Sequence, residues 1–226
     1  IGAIAVQVPN AGTSSFTVPT LGPGDLKLGT IAFDVNSAAG IHLGVLPSSQ
    51  VSMNNTSTAA TPYSVDWKNA SSSQTLVGGS GNDILAAVGF SSATSIDAGA
   101  GADFLVLEGS NISATGGGGA DIYQLGNAST RLSVSDFSVM DDRFDFSNLS
   151  GVTTATISSM LAAAQETTVG AAFKTTLSLD LLDGVTGNAQ GAIELYGVHK
   201  NDLSSVLFLT NLDHALLNQL EFFIAR

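Results

Sequence analysis

Between Gly78 and Gln124 the chain repeats one phrase three times: Gly78-Gly-Ser-Gly-Asn-Asp-Ile-Leu-Ala86, Ala98-Gly-Ala-Gly-Ala-Asp-Phe-Leu-Val106 and Gly116-Gly-Gly-Gly-Ala-Asp-Ile-Tyr-Gln124. Few patterns restrict a fold as tightly. The glycines let the backbone turn through left-handed conformations that a Cβ would penalise, and they draw carbonyl oxygens toward a common centre. An aspartate closes each turn: Asp83, Asp103 or Asp121. The next two residues read as a short strand whose second member, Leu85, Leu105 or Tyr123, points inward.

Spacing turns the phrase into an architecture. Asp103 and Asp121 lie 18 residues apart, two nonapeptides, which in a roll with two turns per coil stacks them on one edge, where they can share an ion. Asp83 and Asp103 lie 20 apart, so a two-residue insertion falls within Ala87 to Asp97, the half-coil on the opposite edge. That half-coil is degenerate, as is Leu107 to Thr115, which has neither a Gly-Gly step nor an aspartate. The expected fold is therefore all-β: a parallel β-roll with nonapeptide turns, of which one edge alone is built to hold metal.

The ligands on that edge are hard oxygens. They come from Gly78, Ser80, Gly81 and Asp83, from Ala98, Gly99, Ala100, Gly101 and Asp103, and from Gly116, Gly117, Gly118, Gly119 and Asp121. Carboxylates and carbonyls in a flexible shell suit calcium, whereas zinc or copper favours His and Cys. The chain has no Cys, and His42, His199 and His214 are too scattered to form a ligand set. Of the 19 acidic residues only four are Glu, so short carboxylates dominate. Ordinary turns or a flexible linker would explain one such phrase, but three in phase, each followed by an apolar pair, favour the roll. A phosphate cradle fits poorly, because no Gly-Lys-Ser/Thr follows and each loop ends in a repelling aspartate.

The segment after the repeats, Leu132-Ser-Val-Ser-Asp136-Phe137-Ser-Val-Met-Asp141-Asp142-Arg-Phe-Asp145-Phe-Ser147-Asn-Leu149, resembles the exit from the roll in repeats-in-toxin (RTX) proteins and serralysin-type secreted proteases. Ala192 to Val198, with Asp202-Leu203, is similar to the closing strands of the same C-terminal domain. The resemblance spans roughly residues 76–208. It implies a calcium-dependent β-roll exported by type I secretion machinery from a Gram-negative bacterium, with Asp136 completing the last calcium shell. Ala98 departs from the pattern by replacing a glycine, yet its carbonyl is still available.

The rest of the chain divides by composition. Residues 1–72 read as a β-rich N-terminal segment, with runs such as Thr30 to Val35 and Ile41 to Val45 broken by Pro19, Gly22-Pro23-Gly24 and Pro47. Residues 73–130 form the roll and 131–210 a capping, secretion-type domain with one helix near Thr156 to Thr167. Residues 211–226 read as an amphipathic helix, with Leu216, Leu217, Leu220, Phe223 and Ile224 on one face. The start, Ile1-Gly-Ala-Ile-Ala-Val-Gln, lacks the basic region and cleavage site of a signal peptide, and the missing initiator Met suggests a piece of something longer.

Composition narrows the function. A net charge of −12 argues against nucleic acid. No apolar run is long enough to span a membrane as a helix. The sequence carries no His-Glu-x-x-His, no Gly-x-Ser-x-Gly and no triad spacing, so no enzyme is expected. Asp141 and Asp142 form a carboxylate pair whose members point to opposite faces in an extended segment. The leading expectation is a secreted structural protein that folds with calcium and self-associates into a homo-oligomer or lattice at the cell surface or in matrix, as a surface layer, sheath, filament or adhesin subunit. Position seven of each repeat (Ile84, Phe104, Ile122) would supply an outward apolar column for that contact. The alternatives are the C-terminal secretion and folding module of an RTX protease, lipase or toxin whose active domain lies elsewhere, and a membrane-binding effector.

Overall fold

The computed structural model describes residues 74–78, 80–90, 93–180, 182 and 191–210, together with six strand backbones nearer the N-terminus. Those six are β1 (Ile4–Val8), β2 (Ser14–Thr17), β3 (Thr30–Val35), β4 (Ile41–Val45), β5 (Gln50–Asn55) and β6 (Thr61–Trp67). They are followed by β7 (Gln74–Val77), β8 (Asp83–Phe90), β9 (Thr94–Asp97), β10 (Phe104–Gly109), β11 (Ile112–Thr115), β12 (Ile122–Leu125), β13 (Arg131–Val134) and β14 (Arg143–Asp145). The chain is a parallel β-solenoid. Odd-numbered strands up to β13 lie side by side in one sheet and even-numbered strands in another, so each coil crosses from the first sheet to the second and back. The pairings β5 to β7 and β6 to β8 carry both sheets without interruption into the repeats.

Strand alternation explains the core. Ile96, Ala114, Leu132 and Val134 from the first sheet face Leu85, Leu105, Tyr123 and Leu125 from the second, all at most 1% exposed. Each such side chain contributes roughly 1.5–3 kcal/mol on leaving water, Ala less. Leu85, Leu105 and Tyr123 are the inward positions expected of the repeat. Their neighbours Ile84, Phe104 and Ile122 sit in one register column on the outer face, with Ile84 45% exposed.

The two-residue insertion resolves into two separate features. Glu108 lies beside Val88 but Gly109 beside Phe90, a β-bulge that absorbs Gly89. The next pairing, Thr94 with Ile112, places the second extra residue in the loop between Phe90 and Thr94. Both lie away from the Asp-bearing turns, which therefore stay in step.

Beyond β14 the solenoid is closed by α1 (Thr154–Ala162), a hairpin of β15 (Gln165–Val169) and β16 (Ala172–Ser178), then β17 (Ala192–Tyr196) and β18 (Phe208–Leu209). β17 pairs in parallel with β13, and β18 with β14, completing both sheets. Five rings fill this end: Phe144 stacks on Phe137 at 4.8 Å and on Phe208 at 5.6 Å, with Tyr123 and Phe146 tilted beside it.

One expectation is corrected. The helix expected over 156–167 occupies Thr154–Ala162, opened by a capping box between Thr153 and Thr156. Its apolar stripe is real, with Ile157 and Met160 buried. Gln165 to Thr167 belong instead to β15, because the β-branched Thr167, Thr168 and Val169 pair with β16 across a turn at Gly170. The amphipathic helix expected over 211–226 lies outside the described residues.

Candidate metal centre

Turns leading from the first sheet to the second stack on one edge, among them residues 78 and 80–82, 98–103, 116–121 and 135–142. Gly99, Gly101, Gly117 and Gly119 take positive φ, from 88° to 140°. The turns hydrogen-bond to one another: Gly101 N–H donates to the Gly118 carbonyl at 2.8 Å, and Gly118 N–H to the Gly99 carbonyl at 3.0 Å. Gly78 and Ala98 N–H groups donate likewise to the Asp97 and Thr115 carbonyls.

Two adjacent glycines differ sharply in what they tolerate. A Cβ on Gly117 would strike the Gly99 carbonyl and require a left-handed residue, whereas one on Gly118 meets no atom of the described residues within 4 Å. Gly117→Ala is expected to destabilise by about 2 kcal/mol or more and Gly118→Ala by less than about 0.5 kcal/mol. Thermal melts of the two variants check this, and equal melting temperatures would contradict the stacked-turn geometry.

The aspartates form a ladder. Asp103 Oδ1 accepts from Asp83 N–H at 2.7 Å, Asp121 Oδ1 from Asp103 N–H at 2.9 Å, and Asp142 Oδ1 from Asp121 N–H at 3.0 Å. Asp142 Oδ2 then accepts from Ser138 N–H at 2.8 Å. All four residues are buried, at 1–3% exposure. Asp103 Oδ2 and Asp121 Oδ2 are buried with no hydrogen-bond partner among the described residues. Burial pushes the Asp103 carboxyl up to about 7, offset in part by the Asp83 amide and reinforced by the charges of Asp121 and Asp83. Burial likewise raises Asp121 to about 6, with Asp142 and Asp136 adding to it, and moves Asp142 upward.

Asp136 occupies a different place. Its carboxylate accepts from Gly116 N–H at 3.1 Å and Gly117 N–H at 2.7 Å, clamping the 116–121 turn from the following coil. Phe137 turns the other way into the aromatic cluster, which accounts for the Asp-Phe pair at the exit. Of the other ligand candidates, Gly78, Gly81, Ala98 and Gly116 are buried, Gly99 and Gly101 half-buried, and Ser80, Ala100, Gly117, Gly118 and Gly119 exposed. Asn82 fastens the first turn to the second, its Oδ1 accepting from Ala102 N–H at 2.8 Å.

Asp142 is the member that sequence reasoning placed only loosely. It is the fourth rung although no glycines precede it, and its legible signal is the pair after it, Arg143-Phe144, which stands in register with Ile122-Tyr123. Asp141, next to it, is exposed, but the pair lies in a turn and not in the extended segment expected: both N–H groups donate to the Ser138 carbonyl. His199, just after β17, contacts Glu166 at 3.2 Å.

Among the described residues no three Asp, Glu, His or Cys side chains converge closely enough to hold a metal by themselves. A cation on this edge would take backbone carbonyls as well, and the donors present are all hard oxygens. Such a set, with unpartnered buried Oδ2 atoms in the column, fits calcium. No protein-family model matches the chain, and no curated protein matches it.

Proposed function

We propose that this chain is an RTX-type calcium-binding β-roll that serves as a secreted structural protein, folding with calcium and self-associating at the cell surface or in extracellular matrix. The ladder of buried aspartates supports the reading above all else. A buried carboxylate without a counter-charge costs several kcal/mol. Coils ~4.8 Å apart set neighbouring charges to repel by roughly 3 kcal/mol per pair at an effective dielectric of ~20. A cation bridging successive turns removes both penalties. The outward column of Ile84, Phe104 and Ile122 is the surface for self-association.

A second reading, the secretion and folding module of an RTX protease, lipase or toxin, draws on the Asp136-Phe137 exit and the closing strands. The two part on assembly: light scattering in calcium detects oligomers under the first and monomers under the second.

Calorimetric titration of calcium into chelator-treated protein tests the calcium reading. Binding heat is expected for wild type, and its absence would overturn the reading. Asp103→Asn and Asp121→Asn, which keep the accepting Oδ1 but remove the charge, are expected to weaken binding about tenfold or more. Asp83→Asn, at the start of the ladder, is expected to do less.

A further inference from the structure

Gly116 sits in a cradle that the repeat pattern does not announce. A Cβ built there would run into both Asp121 Oδ2 and Tyr123 Oη, so these two oxygens crowd one point beside the glycine. Both are buried, and neither has a hydrogen-bond partner among the described residues. The Gly116 N–H on the same residue is held by the Asp136 carboxylate. Tyr123 is wholly buried, and its ring is wedged against Phe137 at 5.9 Å and Phe144 at 5.5 Å, so the hydroxyl is fixed in place.

A hydroxyl buried without a partner is normally destabilising. An inward leucine, as in the other two repeats at Leu85 and Leu105, would avoid it. Burial, reinforced by the carboxylates of Asp136, Asp142 and Asp121 and offset in part by the Gly116 N–H, holds the phenol in its neutral form. A neutral phenol oxygen keeps lone pairs free for a cation.

We propose that Tyr123 Oη, Asp121 Oδ2 and the Asp136 carboxylate form one calcium site beside Gly116, with the tyrosine hydroxyl in the ion's coordination shell. The proposal rests on the calcium reading above and adds to it a ligand from inside the roll. It also makes the end of the ladder, beside the aromatic cluster, the site of tightest binding.

Terbium(III), an oxygen-seeking ion close to calcium in size, emits when excited through a nearby tyrosine, and calcium titration gives the affinity independently. Tyr123→Phe keeps the ring and its packing, and circular dichroism in calcium checks that the fold is retained. It is expected to abolish most of the tyrosine-excited emission and to weaken the tightest calcium site about tenfold. Tyr196→Phe should leave both unchanged. Gly116→Ala needs no left-handed backbone, so its methyl group fills the cradle and should remove this site while other calcium is still bound. Calcium affinity unchanged in Tyr123→Phe, whether or not the emission falls, overturns the tyrosine ligand and leaves the calcium reading intact. A wild-type chain that binds neither ion overturns both.

Discussion

Chelation at pH 8 is expected to unwind the solenoid across residues 74–146, and added calcium to rewind it. With the metal removed, four stacked carboxylates (Asp83, Asp103, Asp121 and Asp142) stay buried within one edge, joined by N–H bonds that hold their positions but carry no full positive charge. A ligand present at a hundred times its dissociation constant stabilises the folded state by about 2.7 kcal/mol per site. Two sites would supply about 5 kcal/mol, comparable with the whole stability of a small domain. The melting temperature should therefore rise by roughly 10–20 °C on going from chelator to calcium. Far-UV circular dichroism follows the transition, and identical melts in chelator and calcium would refute it.

The dependence on pH is expected to change sign with calcium. Asp103 and Asp121 titrate at about 7 and about 6 in the folded chain, against an ordinary value of 3.8, so the folded state keeps protons that the unfolded chain has released. Their contribution to metal-free stability is complete below about pH 4 and is lost as pH rises through 6 and 7. In chelator the melting temperature should thus fall by roughly 10 °C between pH 5 and pH 8. Calcium bound as proposed would take the same oxygens only once they are deprotonated, so in its presence stability should climb over that window. Asp103→Asn should flatten the chelator profile. Melts in both buffers across the range decide the matter, since slopes of equal sign would show that protons and metal do not share the ladder.

Much of this edge is legible from spacing alone. The 18-residue step from Asp103 to Asp121 returns as one coil, and Leu85, Leu105 and Tyr123 all point inward. The insertion within 87–97 is legible as a count but not as a shape, because a bulge and a lengthened loop each add one residue to the same total. Asp142 is harder to read as a rung, since the turn of 135–142 reaches the same stacking without the glycines that mark the others. The overrun of α1 has a similar cause: Ala164 continues the apolar stripe past the helix end, and only pairing with β16 reveals where strand begins. At the Gly116 cradle Asp121 and Tyr123 come from the same repeat, but Asp136 comes from the following coil, and nothing local in the sequence brings that carboxylate to them.

The closing strands bear on how the chain reaches this structure. Contacts between neighbouring coils of the repeat region join residues 18 to 21 apart, so each coil can settle on the one before it at a similar entropic cost. The seal is different: Ser133 meets Glu194 across 61 residues, with a helix and a hairpin between them. Closing that longer span costs only about 1 kcal/mol more, yet it must wait for the intervening elements to form. Folding of this chain therefore divides into a graded, zipper-like growth along the axis and a single non-local closure, and that closure is where its slowest phase belongs.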